Sequence, residues 1–212
     1  MNRRELLASI GFGSFAAYSG FAYAQRRIPF CCFSLTSGWS DRGGGKILAK
    51  EVRNDDPSGI PKVVSRIEQA LHFSSKIEVL IVKGKEENAF ATVADGRRLL
   101  VIDEGFLRGA NRKAESDWAA VEIIAHEVGH HIAGFVDDPY ACELNADYWS
   151  GQTLQRLGSD EAAAKSAILA VGNETDTPSH PNKFARAAVV SAGWQDSKNN
   201  VVDYSRCTRC RA

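Results

Sequence analysis

Hydrophobic and polar positions alternate with two different periods along this chain, and the change of period divides it. After Pro61, which suits a first helical turn, the apolar residues Val63, Val64, Ile67, Ala70 and Leu71 recur at helical spacing and predict an amphipathic helix to about Phe73. KIEVLIV (76–82) then reads as a strand. NAFATV (88–93) and RRLLVID (97–103) read as two more, joined at Ala94-Asp95-Gly96, whose Asp-Gly is a hairpin turn signal. These three segments predict a small sheet with an edge.

Beyond Asp103 the pattern is helical. A short helix is predicted over 104–111 and a long one from Glu115 or Ser116 to about Phe135; Pro139 breaks the chain, and YACELNADYWSGQTLQRLG is helical until Gly158. Ser159 and Asp160 are placed to cap EAAAKSAILAVG, and Pro181 to start a last helix through Trp194. The order predicts an α+β chain, with a hairpin sheet packed on a mainly helical body and no internal repeat.

The N-terminus is different in kind. MNRRELLASIGFGSFAAYSGFAYA has a basic start, an uncharged stretch from Leu6 to Ala24 and a small-x-small ending at Ala22-Tyr23-Ala24, so residues 1–24 read as a signal peptide. Arg3-Arg4 before Leu6-Leu7 resembles a twin-arginine signal. The alternative is an uncleaved anchor, which would be the only attachment to a membrane. Export to the periplasm or the extracellular space is the expectation. The remaining units are an irregular segment, 25–59, a main domain, 60–196, and a tail, 197–212. The Gly43–Gly45 run before Lys46 lacks phosphate-loop spacing and carries no assigned chemistry.

Charge adds little. The whole chain has 26 basic and 26 acidic side chains, and removing residues 1–24 leaves 24 and 25. No basic run is interleaved with aromatic residues, so nucleic acid is not expected as a partner. Of the five cysteines, Cys31, Cys32, Cys207 and Cys210 are disulfide candidates in an exported chain, either within CTRC or between the two ends. No lipobox precedes Cys31.

The chemistry concentrates in AAVEIIAHEVGHHIAGF, residues 119–135. On a helix His126 and His130 project from one face a turn apart and can share an ion, while Glu127 beside them is placed to take a proton from water at that ion. Trp118, Ala119, Val121, Ile124, Ala125, Val128 and Ile132 make the helix apolar, so the charged trio is expected to be buried. Gly129 leaves room for substrate or a neighbouring helix. A third ligand has to come from His131, Asp137, Asp138, Cys142, Glu143, Asp147 or His180. His131 points elsewhere on the helix, Asp137 and Asp138 suit a turn or cap, and no third histidine stands six residues after His130 as metzincins require. Glu143 and Asp147 share a face of the next helix: Glu143 is the better ligand, and Asp147 suits a hydrogen bond to the free nitrogen of a ligand histidine.

HEVGHH with ELNAD resembles the gluzincin zinc metallopeptidases, and within them the family of CAAX prenyl proteases, HtpX-like proteases and their small soluble relatives. NAFA (88–91), LLVIDEGFL (99–107) and TPSHPNKFAR (177–186) match segments of that family, and the resemblance spans roughly 60–194. It implies a zincin-like fold, one Zn²⁺ on His126, His130 and Glu143, Glu127 as general base and Asp147 as the orienting carboxylate. It also implies that His180 stabilises the transition state or lodges on the zinc as a fourth ligand, that Arg186 pairs with Asp147, and that the edge strand at Asn88, Ala89 and Phe90 pairs with an extended polypeptide substrate. The short interval from His130 to Glu143 speaks against prenyl-protein processing. The implied activity is endopeptidase action on cell-envelope proteins; the competing expectation is a catalytically silent or self-inhibited zinc-binding chaperone or scaffold, closed by His180.

Overall fold

The computed structural model describes residues 59–82 and 88–207, together with the backbone of Cys31–Ser34. The expected signal peptide, the Gly43–Gly45 run and Cys210 lie outside the described residues. In chain order the elements are β1 (Cys31–Ser34), α1 (Ile60–Ala70), β2 (Ile77–Val82), β3 (Asn88–Ala94), β4 (Arg97–Asp103), α2 (Glu104–Ala114), α3 (Trp118–Ala133), α4 (Pro139–Leu157), a 3₁₀ turn (Ala163–Lys165), α5 (Ser166–Val171), α6 (Lys183–Lys198) and a second 3₁₀ turn (Tyr204–Arg206). The chain is α+β, as expected.

The sheet has the order β1-β3-β4-β2. β3 and β4 form the expected hairpin. Ala94 pairs with Arg97, leaving Asp95 and Gly96 at φ 51° and 75° as a two-residue loop whose left-handed backbone matches the twist of the strands. β2 runs parallel to β4, from Ile77 against Arg98 to Val82 against Asp103. Two expectations are corrected here. Residues 31–34 are not irregular but form β1, and β1 pairs antiparallel with β3, so β3 is an interior strand and not an edge. The main-chain partner of β3 is a strand of the chain itself and not a substrate.

Helix α3 lies against β3 and β4 on one side and α4 on the other, and from Glu122 to Ala133 every residue is buried. A helix apolar all round belongs in a core. Its start is held by Ser116 Oγ, which accepts from Trp118 N, and by Asn111 Oδ1, which accepts from Ala120 N. α6 packs on the far face of α4. It opens at Lys183 and not at Pro181, with Asn182 as its cap accepting from the amides of Phe184 and Ala185.

The segment expected as one helix after Gly158 is split. Asp160 caps it as predicted, accepting from Ala163 N, but Ser159 does not. The amides of Ala167 and Ile168 then donate to the buried carboxylate of Glu122, at the start of a separate six-residue helix from Ser166.

The three packed helices touch through glycine. A Cβ on Gly129 would lie 2.6 Å from Ala146 O, one on Gly151 would lie 2.1 Å from Val190 O, and one on Gly193 would lie 2.1 Å from Tyr148 O. These are backbone atoms that cannot rotate away. Gly151→Ala is therefore expected to destabilise the fold by about 2 kcal/mol or more and to lower Tm by roughly 4–8 °C. Gly109→Ala, whose Cβ would come no closer than 3.9 Å to the end of Arg112, serves as the control and should be neutral or stabilising in the same thermal denaturation.

Candidate metal centre

Helices α3 and α4 run antiparallel, with Glu122 beside Ser150, Gly129 beside Ala146 and His130 beside Cys142. The turn between them is short because Gly134, at φ 80°, ends α3 and Asp138, accepting from Tyr140 N, caps α4 directly before Pro139. This register lays Glu143 across the turn of α3 that carries His126 and His130.

The Nε2 atoms of His126 and His130 are 3.1 Å apart. Glu143 Oε2 is 3.4 Å from His126 Nε2, and Glu143 Oε1 is 3.6 Å from His130 Nε2. Donor atoms around a tetrahedral ion with bonds of about 2.0–2.1 Å are roughly 3.3 Å apart. His126, His130 and Glu143 thus form a group that can hold a metal ion, the one such group found among the described residues.

Around this set the charges are arranged to balance. His126 Nδ1 is 2.8 Å from Asp147 Oδ1. Arg186 donates through Nε and Nη2 to the two oxygens of Asp147, each at 2.8 Å, and its Nη2 is 3.2 Å from Glu143 Oε2. Burial opposes ionisation of Glu143, but Arg186 and His126 override it and hold the carboxyl well below the usual range. For Asp147 burial again acts upward and is overcome by Arg186 and His126, so its pKa is also lowered. Burial works against a protonated His126, yet Asp147 outweighs it and pushes the imidazole up to about 10. The field at the ring is one that favours a cation. Once His126 gives up its proton to serve as a ligand, two ionised carboxylates would stand against one guanidinium, an imbalance that a divalent ion would offset.

Glu127 is fully buried, and neither of its carboxylate oxygens has a hydrogen-bond partner among the described residues. Burial pushes it up to about 7, against the opposing pull of His126 and His130. An orphaned carboxylate costs stability unless something occupies its face. His126, His130 and Glu143 are a mixed nitrogen and oxygen donor set beside it, so the residues present fit a divalent metal ion.

The remaining sequence candidates separate cleanly. His180 Nε2 is 3.6 Å from Glu143 Oε1, but His180 does not join the mutually close group of His126, His130 and Glu143. Its other nitrogen is 2.8 Å from Ser179 Oγ, and its loop is tied down by Thr177 Oγ1, which accepts from His180 N, and by Tyr140, whose hydroxyl donates to Thr177 O. His131 faces the sheet: Nε2 donates to Leu99 O, and burial lowers its pKa to about 4, so it is neutral. Asp138 is a cap, and Arg186 meets Asp147 as expected. Asn88, Ala89 and Phe90 are bonded to β1 through the pairs with Ser34, Phe33 and Cys32, and do not offer an open edge to substrate. Cys207 is disulfide-bonded; the pairing among Cys31, Cys32 and Cys210 lies outside the described side chains. Ser179 and Tyr140 escaped the sequence reading, since nothing local marks a serine beside a histidine as its partner.

No protein-family model, curated protein or solved structure matches the chain.

A divalent ion that binds the folded chain alone stabilises it by about 2.7 kcal/mol at a hundred times its Kd. Saturating zinc should therefore raise Tm, and a chelator should reverse the shift. In His130→Ala and Glu143→Ala that shift should disappear, with affinity in equilibrium dialysis weakened by at least about 100-fold, beyond what loss of an outer partner causes.

Proposed function

We propose that the chain is an exported zinc endopeptidase. The observation that carries this reading is the unpartnered, fully buried Glu127 carboxylate beside a two-histidine, one-glutamate donor set. That set is the one used by catalytic zinc, with a coordination position left for water or substrate. The resemblance of HEVGHH, ELNAD and TPSHPNKFAR to the gluzincins supports the same choice of metal and of bond.

When bound, zinc would polarise the scissile carbonyl and acidify an attacking water. Glu127 accepts the proton from that water at one of its free oxygens and passes it to the leaving amine. Asp147 holds His126 with Nε2 turned inward, and Arg186 keeps Asp147 and Glu143 ionised within a dry site. His180 Nε2, on the Glu143 side of the cluster, donates to the oxyanion developing on the carbonyl. Substrate pairing is not assigned to β3; the sheet edge beside α4 belongs to β1. The substrate class proposed is an extended segment of a cell-envelope polypeptide.

One observation favours a second reading. His180 Nε2 stands at ligand-like spacing from Glu143, which suits a closed four-ligand zinc site in a non-enzymatic chaperone or scaffold. That His180 stays outside the mutually close group weighs toward the open site.

Glu127→Gln should keep one zinc per chain and lose cleavage of an unstructured protein substrate; cleavage at the wild-type rate would sink the assignment. His180→Ala separates the two readings. An oxyanion role predicts unchanged zinc affinity and a fall in kcat of about 10²–10³ with little change in KM. A fourth ligand predicts weaker zinc binding and no cleavage gained or lost.

A further inference from the structure

Each ligand histidine has a second ring nitrogen, and α4 meets both. His126 Nδ1 is 2.8 Å from Asp147 Oδ1; His130 Nδ1 is 3.6 Å from Cys142 Sγ. The sequence reading entered Cys142 only as a candidate ligand. Its sulfur lies on the outer side of the His130 ring, while Nε2 faces His126 and Glu143, and Cys142 is not a member of the ligand group.

We infer that Cys142 is a positioning residue for the metal centre: its thiol sulfur accepts the Nδ1–H of His130 and so leaves Nε2 with its lone pair directed at the ion. This rests on the group holding a metal and is independent of whether the protein cleaves peptides. Three observations combine. His130 is fully buried, so an Nδ1–H without an acceptor would carry its whole desolvation cost. Cys142 Sγ is the acceptor that the described residues place at that nitrogen. Phe135 stacks parallel to the ring at 5.9 Å and His126 meets it edge-on at 4.6 Å, so two aromatic neighbours help to hold the orientation of the imidazole. A sulfur within 4 Å is an ordinary length for such a bond, sulfur being a larger and weaker acceptor than oxygen. Cys142 is itself buried, at 1% exposure. Residues 142, 143 and 147 of one helix thereby orient one histidine, ligate the ion and orient the other histidine.

The test uses the full chain with zinc or Co²⁺ as the probe, chelator competition for affinity, and the visible spectrum of the cobalt form. Cys142→Val keeps the volume of the side chain and removes the acceptor; Cys142→Ser keeps an acceptor. Expected are a 10–100-fold loss of affinity and shifted cobalt bands in Cys142→Val, with Cys142→Ser recovering most of the affinity and the wild-type band positions. Thermal denaturation of each variant in chelator monitors folding; a valine variant that unfolds there is replaced by Cys142→Ala, with the same loss expected. Wild-type affinity and spectrum in the valine or alanine variant would overturn the inference. So would a sulfur-to-cobalt charge-transfer band in the wild type that vanishes in Cys142→Ser, since that would put Cys142 on the ion. A wild-type chain that takes up neither ion would remove the metal centre itself, and the inference with it.

Discussion

His126, Glu127, His130, Glu143 and Asp147 are all at most 1% exposed, and the fold has to make that tolerable. Each charge taken out of water costs several kcal/mol unless another group answers it. Arg186 answers two of them, reaching across from α6 to both oxygens of Asp147 and to Glu143. Asp147 in turn answers His126. The cluster is therefore a single electrostatic object spread over three helices, and the packing of those helices is inseparable from its chemistry. Glu127 is the member whose carboxylate oxygens find no hydrogen-bond partner among the described residues.

Glu122, one turn before His126 on α3, shows the same economy applied to folding. Burial pushes it up to about 8, although its two oxygens accept from the amides of Ala167 and Ile168. Its contacts are all to backbone that closes α5 over α3, so it fastens the helical body next to the site without entering it. His131 does the equivalent on the opposite side, fastening α3 to the carbonyl of Leu99 in β4. Helix α3 is thus pinned to its surroundings by polar residues on either flank of the candidate ligand pair.

What was legible in the sequence follows from the range of the forces involved. The Asp-Gly hairpin, β4, and the helices flanked by Pro139 and Gly158 are written in neighbouring residues, and they appear where expected. The i, i+4 pairs His126/His130 and Glu143/Asp147 share faces by helix geometry alone, so their convergence needed only an antiparallel return of the chain. β1 could not be read, because four residues carry no periodicity and their partner is Asn88–Ala91, far along the chain. The break before Ser166 was hidden for a similar reason: its cause, Glu122, is 45 residues from Ala167. The role of Cys142 depends on which residues of α3 and α4 stand opposite one another, and that register is set by the contact of Gly129 with Ala146.

That contact, with those of Gly151 and Gly193, means that α4 meets α3 and α6 backbone to backbone at these points, where no side chain lies between to reshuffle. Helices that meet through flexible side chains can slide by small rotamer changes; here a slide would drive carbonyl oxygens into main chain. The donor atoms are consequently spaced for an ion by the scaffold, and not gathered by the ion. Loading the site then sacrifices little conformational entropy, and the cost of bringing these groups together has already been met when the chain folds.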